Sequence, residues 1–364
     1  MTKRSYERPG GAGVKTSGMV KGASAAWWLE GVERIGLASR GKEGWGGRMK
    51  DEGGRMKDEE KGGHGGIRRI SSFLLHPSSF LHGYVGIVII LSAEALLFSG
   101  NQLVGGWFTP IVWTGYILFV DALIFKMSGR SLLTTNRTEM VIIVSISIIC
   151  WWFCEFYNAP RFWRSDLELW WHYHNLVANP YLRRVGYDWA FATILPAMFL
   201  TAKLLSTTIF KARTRRRGVQ LPRPLLYVMI LLGAVGAILP LVFFSTWWAP
   251  VVWLAFILLL DPINYLRGWP SIVGDLEAGK YRRLFSLLAA GGVCGVLWEF
   301  WNYWALSRWT YTVPYFGNVK IFEMPVLGYL GFPPFAVECW AMYIFLRSLL
   351  VREPIQTDQI WIDS

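Results

Sequence analysis

Long apolar runs constrain this chain more than anything else in it. Stretches such as YVGIVIILSAEALLF at 84–98 and LLYVMILLGAVGAILPLVFF at 225–244 approach or reach the about 20 residues that carry a helix across a bilayer core. They predict an integral membrane protein of the all-α class, a polytopic bundle of about eight spans. The spans are expected at roughly 84–99, 107–126, 140–157, 185–205, 225–244, 248–266, 284–304 and 325–349.

Residues 1–82 are different in kind. Within them, 46–82 repeats RMKDE and then SSFLLH and SSFLH, in a Gly-rich, charged setting without apolar periodicity. No packed structure is expected from such a tail. One codon choice for Arg-Met-Lys-Asp-Glu has a reverse complement reading Phe-Ile-Leu-His-Pro, one residue away from FLLHP at 73–77. The two blocks thus look like the arms of an inverted DNA repeat that is translated, which would make the tail spurious and dispensable. It is not a signal peptide, since it lacks the basic segment, apolar run and small-residue cleavage site in sequence. The tail also holds 15 of the 37 Lys+Arg and 9 of the 25 Asp+Glu, and so half of the net charge of +12. The basic balance is therefore poor evidence for a nucleic-acid partner, and none is expected. Membrane lipid is the expected partner, and the sequence names no cofactor and no oligomeric state.

The membrane part repeats itself. TPIVWTGYILFVD at 109–121 meets APVVWLAFILLLD at 249–261, CEFYN at 154–158 meets WEFWN at 298–302, and VGY at 185–187 meets LGY at 327–329. Three anchors in one order predict a tandem duplication of a four-helix unit. The repeats run over 83–210 and 225–350, with a basic cytoplasmic linker at 211–224 and a C-terminal tail at 351–364. An even number of spans per unit leaves both halves in one orientation, related by an axis along the membrane normal. The loops after spans 2, 4 and 6, with the C-terminal flank, hold 15 Lys+Arg, including KARTRRR at 211–217, against six in the opposite loops. The positive-inside rule then puts both termini in the cytoplasm, in a bacterial-type inner (plasma) membrane. The basic run reads as an orientation signal and a contact for anionic lipid.

Carboxylates inside apolar spans are costly and mark function by default. Here they are Glu94, Asp121, Glu155, Asp188, Asp261, Glu299 and Glu338. Asp261 precedes Pro262, which reads as an N-cap before a first helical residue. Glu94 falls opposite Ala234 in the repeat and gains no support from it. Glu155 and Glu299 are each followed three residues later by Asn158 and Asn302, so carboxylate and amide share a helix face. Two-fold placement would bring these faces together between the halves. Glu338 follows the helix break at Pro333-Pro334, in FPPFAVECWAMY; apolar surroundings there favour the neutral, proton-bearing acid. Glu338, Glu299 and Glu155 are the candidate catalytic groups, with interhelical hydrogen bonding as the structural alternative. His172 and His174, the only histidines after the tail, are weak metal candidates by spacing alone. The four cysteines sit in apolar runs without disulfide or metal spacing, and Cys150 and Cys154 read as small core residues. Acid groups ringed by Trp and Tyr suit carbocation chemistry, because aromatic faces stabilise positive charge.

The segment at 298–343 resembles the membrane-embedded lycopene cyclases of carotenoid synthesis. The likeness rests on Trp298-Glu299 late in one helix, Trp309-Thr310-Tyr311 in the loop, and Pro334 followed by Glu338 in the next helix. It covers roughly 290–350, with a fainter echo in the first half. The Pro-x-Glu-Glu core of that family is absent, as are Asp-rich prenyltransferase motifs. More broadly the chain resembles multispan membrane proteins of bacteria. The resemblance implies a helical bundle acting on a polyprenoid, a hydrophobic small molecule. Glu338 and Glu299 would be the acids, with Trp298, Trp309 and Tyr311 as substrate contacts; Asn158 and Asn302, on the faces of Glu155 and Glu299, are further candidate substrate contacts. The reading is an intramembrane enzyme doing acid–base chemistry on a lipid or isoprenoid. The alternatives are a carrier for a small solute or proton between the repeats, and a non-catalytic membrane scaffold.

Overall fold

The computed structural model describes residues 80–159, 169–211, 217–312, 314 and 317–355. The expected tail at 1–82 lies outside the described residues except for its last three, as do most of the basic run at 211–217 and the end of the C-terminal tail. Among the described residues, eight helical stretches are long and apolar enough to cross a membrane: Leu81–Phe98, Phe108–Ser128, Arg137–Asn158, Pro180–Thr207, Arg223–Val242, Thr246–Leu266, Arg282–Trp304 and Val326–Leu350. Each overlaps one expected span, and the protein is a multi-pass membrane bundle.

In chain order the helices are α1 (Leu81–Phe98), α2 (Gln102–Gly106), α3 (Phe108–Ser128), α4 (Leu132–Thr135), α5 (Arg137–Asn158), α6 (Pro180–Ala192), α7 (Ile194–Thr207), α8 (Arg223–Val242), α9 (Ala249–Leu266), α10 (Ile272–Glu277), α11 (Arg282–Trp304) and α12 (Phe332–Leu350). Two antiparallel ribbons accompany them: β1 (Trp171–His174) with β2 (Arg308–Tyr311), and β3 (Lys320–Ile321) with β4 (Met324–Pro325). The buried centre belongs to α7 and α12. The first packs on α3, α5 and α11, and the second on α5, α9 and α11. Both are apolar nearly all round, as a helix buried on all sides must be. At the periphery α1 leans on α3 and α8 on α9, in both cases through glycine. A Cβ on Gly86 would stand 2.4 Å from the Gly115 carbonyl oxygen, and one on Gly233 would stand 2.4 Å from the Leu259 nitrogen and 2.7 Å from the Ala255 oxygen. Small residues are what let helices approach this closely where lipid supplies no hydrophobic drive.

Two of the spans are broken. α6 ends at Ala192 and α7 begins at Ile194, because Pro196 has no N–H to continue the ladder. Ser147 of α5 repairs the break: its hydroxyl donates to the Phe191 carbonyl and accepts from the Leu195 N–H at 3.0 Å. The last span begins as a 3-10 turn, Val326–Gly331, and becomes α-helix only at Phe332, with prolines in its first turn. There Gly291 of α11 makes room, since a Cβ on it would stand 2.2 Å from the Phe332 carbonyl oxygen.

Several boundary carboxylates turn out to be structural. The sequence reading made Asp261 the N-cap of a helix starting at Pro262, yet both residues lie inside α9. The Asp261 carboxylate instead accepts from the Ile272 and Val273 N–H groups of α10, at 2.8 Å each. Asp121 does the same work beside α4, accepting from the Leu133 N–H at 3.1 Å and the Ser131 hydroxyl at 2.7 Å. It also meets His82 Nε2 at 3.1 Å. The first helix therefore starts at Leu81, inside the segment assigned to the tail, and its first turn closes on a fully buried carboxylate. At the same end of the bundle Glu139 of α5 faces Arg347 of α12, with Nη2–Oε2 at 3.1 Å and Nε–Oε1 at 3.2 Å. Tyr343 also donates to Glu139.

Both members of the Glu139–Arg347 pair are nearly inaccessible, 6% and 3% exposed. Removing one leaves an uncompensated buried charge, which costs about 3–5 kcal/mol, whereas replacing both by apolar residues costs far less. Glu139→Leu or Arg347→Met alone should therefore lower the thermal midpoint in detergent sharply, and the double variant should recover most of the loss. Additive losses would mean the two charges do not depend on each other. His82→Ala should lower the midpoint by less, the equivalent of about 1–3 kcal/mol for a lost charged hydrogen bond.

Candidate functional site

The hydrogen-bonding capacity of asparagine builds the site. Asn158, at the end of α5, donates from its amide to the Trp171 carbonyl at 2.9 Å and accepts from the Trp170 N–H at 2.8 Å. Asn302, at the end of α11, donates to the Trp309 carbonyl at 2.8 Å and accepts from its N–H at 2.9 Å. Each buried side chain thus satisfies a returning strand as another strand would. The two strands then pair, Trp171 opposite Tyr311 and Tyr173 opposite Trp309. Alternation along a strand puts Trp171, Tyr173, Trp309 and Tyr311 on one face. The other face carries His172 and His174, which hydrogen-bond the hydroxyls of Thr312 and Thr310 at 2.9 and 2.8 Å. Each histidine thus has its Nε2 engaged by a threonine hydroxyl. Among the described residues no three His, Cys, Asp or Glu side chains stand together to hold one.

Beneath the aromatic face lies a cavity of about 460 Å³, lined by seven tryptophans, three tyrosines and three phenylalanines among its side chains. Its walls include α6 and the 3-10 turn at Val326–Gly331, the outer parts of the two broken spans. Its inner end is closed by Phe335, whose ring lies 5.9 Å from Trp151, 5.2 Å from Trp253 and 6.2 Å from Trp298. The volume and lining are those of a site for a small apolar ligand.

The candidate residues fall into three groups. Trp298, Trp309 and Tyr311 line the cavity. Asn158 and Asn302 do not; they hold the strands that do. Glu155 and Glu299 are likewise behind the lining and reach it through phenols. The Tyr173 hydroxyl donates to Glu155 Oε1 at 2.5 Å, and the Tyr311 hydroxyl donates to Glu299 Oε1 at 2.7 Å. The environments differ beyond that. Glu155 Oε1 also accepts from the indoles of Trp151 at 3.1 Å and Trp171 at 3.2 Å. Glu299 Oε2 is buried without a hydrogen-bond partner, and the Trp309 indole goes to the Tyr311 oxygen at 2.6 Å.

Glu338 stands apart. It is 2% exposed and faces a separate gap of about 10 Å³ shared with Cys154, Tyr157 and Met342. Trp171 and Trp253 line both spaces, so indole rings separate Glu338 from the cavity. The gap has room for about one water at most, and Glu338 Oε2 has no hydrogen-bond partner. The cysteines are all free thiols and three are fully buried. Of the remaining carboxylates, Glu94 accepts from the Trp301 indole at 3.1 Å, and Asp188 from Trp152 at 2.6 Å.

Sequence reading missed Trp171 and Tyr173. The signal was present: Glu-x-x-Asn is followed by Trp-x-Tyr in both halves, as Trp171-His172-Tyr173 and Trp309-Thr310-Tyr311. The loops from Asn158 to Trp171 and from Asn302 to Trp309 differ in length, so no single offset aligns this motif with the other anchors, which themselves stand 140, 144 and 142 residues apart. Compared with protein-family models, with curated proteins and with solved structures, the chain matches none of them.

Burial, and then the neighbouring Glu155, push the Tyr173 phenol well above its ordinary value; burial and Glu299 do the same for Tyr311. A phenol whose folded value is raised contributes stability that is complete below the unfolded value of about 10 and is lost as pH climbs toward the folded one. Tyrosinate absorbance should therefore show these two phenols silent while exposed tyrosines titrate. Tyr173→Phe/Tyr311→Phe should remove their share of alkaline destabilisation. Two phenols titrating normally near pH 10 in the folded protein would contradict this geometry.

Proposed function

We propose that the protein is an intramembrane enzyme that holds an apolar chain, of isoprenoid type, in the aromatic cavity and performs acid–base chemistry on it. The observation that carries this is the pair of Tyr–Glu contacts on the cavity wall. They are the routes by which buried carboxylates communicate with an otherwise apolar space. Three donors on Glu155 Oε1 favour a carboxylate there, since an ionised acid accepts only. Glu299, with one donor and an unpartnered second oxygen, suits the protonated acid. Environments that separate two carboxyls in this way assign the acid and the base. In the forward step the Tyr311 hydroxyl turns from Glu299 Oε1 and gives its proton to a substrate double bond, and the Glu299 proton then moves to the phenolate oxygen. The resulting carbocation faces Trp and Tyr rings and the Glu155 charge, and proton loss through Tyr173 to Glu155 completes the step. Glu338 has no direct route to the substrate, and supports the walls from behind Trp171 and Trp253.

The resemblance to membrane-embedded lycopene cyclases fits this reading in its residues Trp298, Glu299, Trp309 and Tyr311. The tandem duplication also belongs to it. Matching Asp–helix caps, glycine contacts, Asn brackets and Tyr–Glu pairs support two related halves meeting across the cavity. The matching glycine contacts set Gly86 against Gly233, which places Leu241 opposite Glu94. The basic loops support a cytoplasmic location for both termini and a cavity near the outer leaflet of a bacterial-type membrane. A carrier would need a path past Phe335, and the rings packed around it argue against one.

The test is chemical. Cells producing carotenoid or shorter polyprenoid precursors, with and without the protein, should differ in their apolar extracts, and Glu299→Gln or Tyr311→Phe should abolish the difference with the protein still inserted and folded. Glu155→Gln and Glu299→Gln together should lose little more than either alone, because both act on one reaction. Unchanged extracts in the wild type, with solute uptake in vesicles, would favour the carrier.

A further inference from the structure

Arg183 is the one charged side chain among the described residues that line the cavity. It is half-buried, and its guanidinium donates to the carbonyls of Val177 at 2.9 Å and Ala178 at 3.2 Å. Neither partner is charged. The neighbouring arginines differ: Arg184 pairs with Asp188 at 3.0 Å and lies 3.9 Å over the Trp152 ring, and Arg308 pairs with Glu323 at 3.3 Å. Among the described residues Arg183 has no carboxylate partner, so its positive charge is uncompensated at the edge of an apolar space. A second polar group belongs to the same end. Thr109 Oγ1 is buried, lines the cavity and has no hydrogen-bond partner. The start of α3, which carries Thr109, adjoins the segment before α6: a Cβ on Gly106 would lie 3.6 Å from Val177. α6 also closes on α3 through Trp189, whose indole donates to Thr114 at 3.0 Å.

We infer that the cavity takes an amphiphile, with an anionic head group, phosphate or carboxylate, paired with Arg183 and hydrogen-bonded by Thr109, and an apolar chain lying among the aromatic rings toward Phe335. This rests on the reading of the cavity as an isoprenoid site and names the polar end of the ligand. An uncompensated guanidinium beside a low-dielectric space attracts an anion more strongly than one in water. The fixed carbonyl contacts orient it before a ligand arrives, which reduces the ordering cost of binding. The chain supplies affinity without regard to charge, and the head group sets direction of entry.

The seven lining tryptophans give a direct readout. Quenching of indole fluorescence by farnesol and by farnesyl monophosphate, titrated into purified full-length protein in a neutral detergent, measures the two affinities. The phosphate should bind about tenfold more tightly than the alcohol, a gain of the size expected for hydrogen bonds to a charged group. Arg183→Gln should bring the phosphate down to the affinity of farnesol and leave farnesol unchanged, Arg183→Lys should keep most of the preference, and Thr109→Val should reduce it a few-fold. Equal affinities in the wild type, or a preference that survives Arg183→Gln, would overturn the inference while farnesol binding still upholds the cavity as an apolar site. If Arg183→Gln also loses farnesol, the Lys and Val variants decide: a preference kept in the first and reduced in the second supports the head-group site, and any other pattern overturns it. Quenching by neither compound would overturn the cavity reading as well.

Discussion

A helix interrupted within a membrane frees backbone groups that lipid cannot satisfy. The two interruptions in this protein, ahead of Pro196 and ahead of Pro333, are the feature on which the rest depends. Each is made tolerable by a neighbour: Ser147 bridges Phe191 and Leu195, and Gly291 lets α11 lie against the Phe332 carbonyl. Beyond each break, α6 and the turn at Val326–Gly331 contribute side chains to the lining of the aromatic cavity.

Carboxylates reach the cavity only indirectly. Glu155 and Glu299 are near the ends of α5 and α11, where the strands held by Asn158 and Asn302 return over the bundle. An exposed carboxylate in an apolar cavity would be costly, whereas a phenol presents a hydroxyl at one end and a ring for the wall. Tyr173 and Tyr311 combine the two. The ribbon that carries them joins the segment after α5 to the segment after α11, so the cavity wall and the link between these distant segments are one structure.

How much of this is legible in sequence depends on range. The eight spans are, because apolar length is a local property, and so is the Pro-Pro break. The shared Glu-x-x-Asn pattern of Glu155 and Glu299 is legible because each Asn lies one helical turn away. What cannot be read is which way a side chain turns. Glu338 looks like the most central acid, yet Trp171 and Trp253 stand between it and the cavity. Asp261 looks like a cap on its own helix and caps the next one. His82 closes the SSFLH repeat, and only folding brings it to Asp121, 39 residues on. Glu139 and Arg347 escape notice because they lie at span ends, where charge is ordinary. Their burial is a consequence of α12 packing on α5, a contact between distant segments.

Buried charge is handled in two ways within this bundle. Glu139, in the first turn of α5, pairs across helices with Arg347 of α12 at 3.1 Å. Arg283, in the first turn of α11, pairs with Asp275 of the preceding α10 at 2.7 Å and lies 5.0 Å over the Trp340 ring. Arg283 and Arg347 are 6% and 3% exposed, so each depends on its carboxylate, because an unpartnered charge buried this deeply costs several kcal/mol. The first pair therefore ties distant segments together, and the second fixes a short helix to the span that follows it.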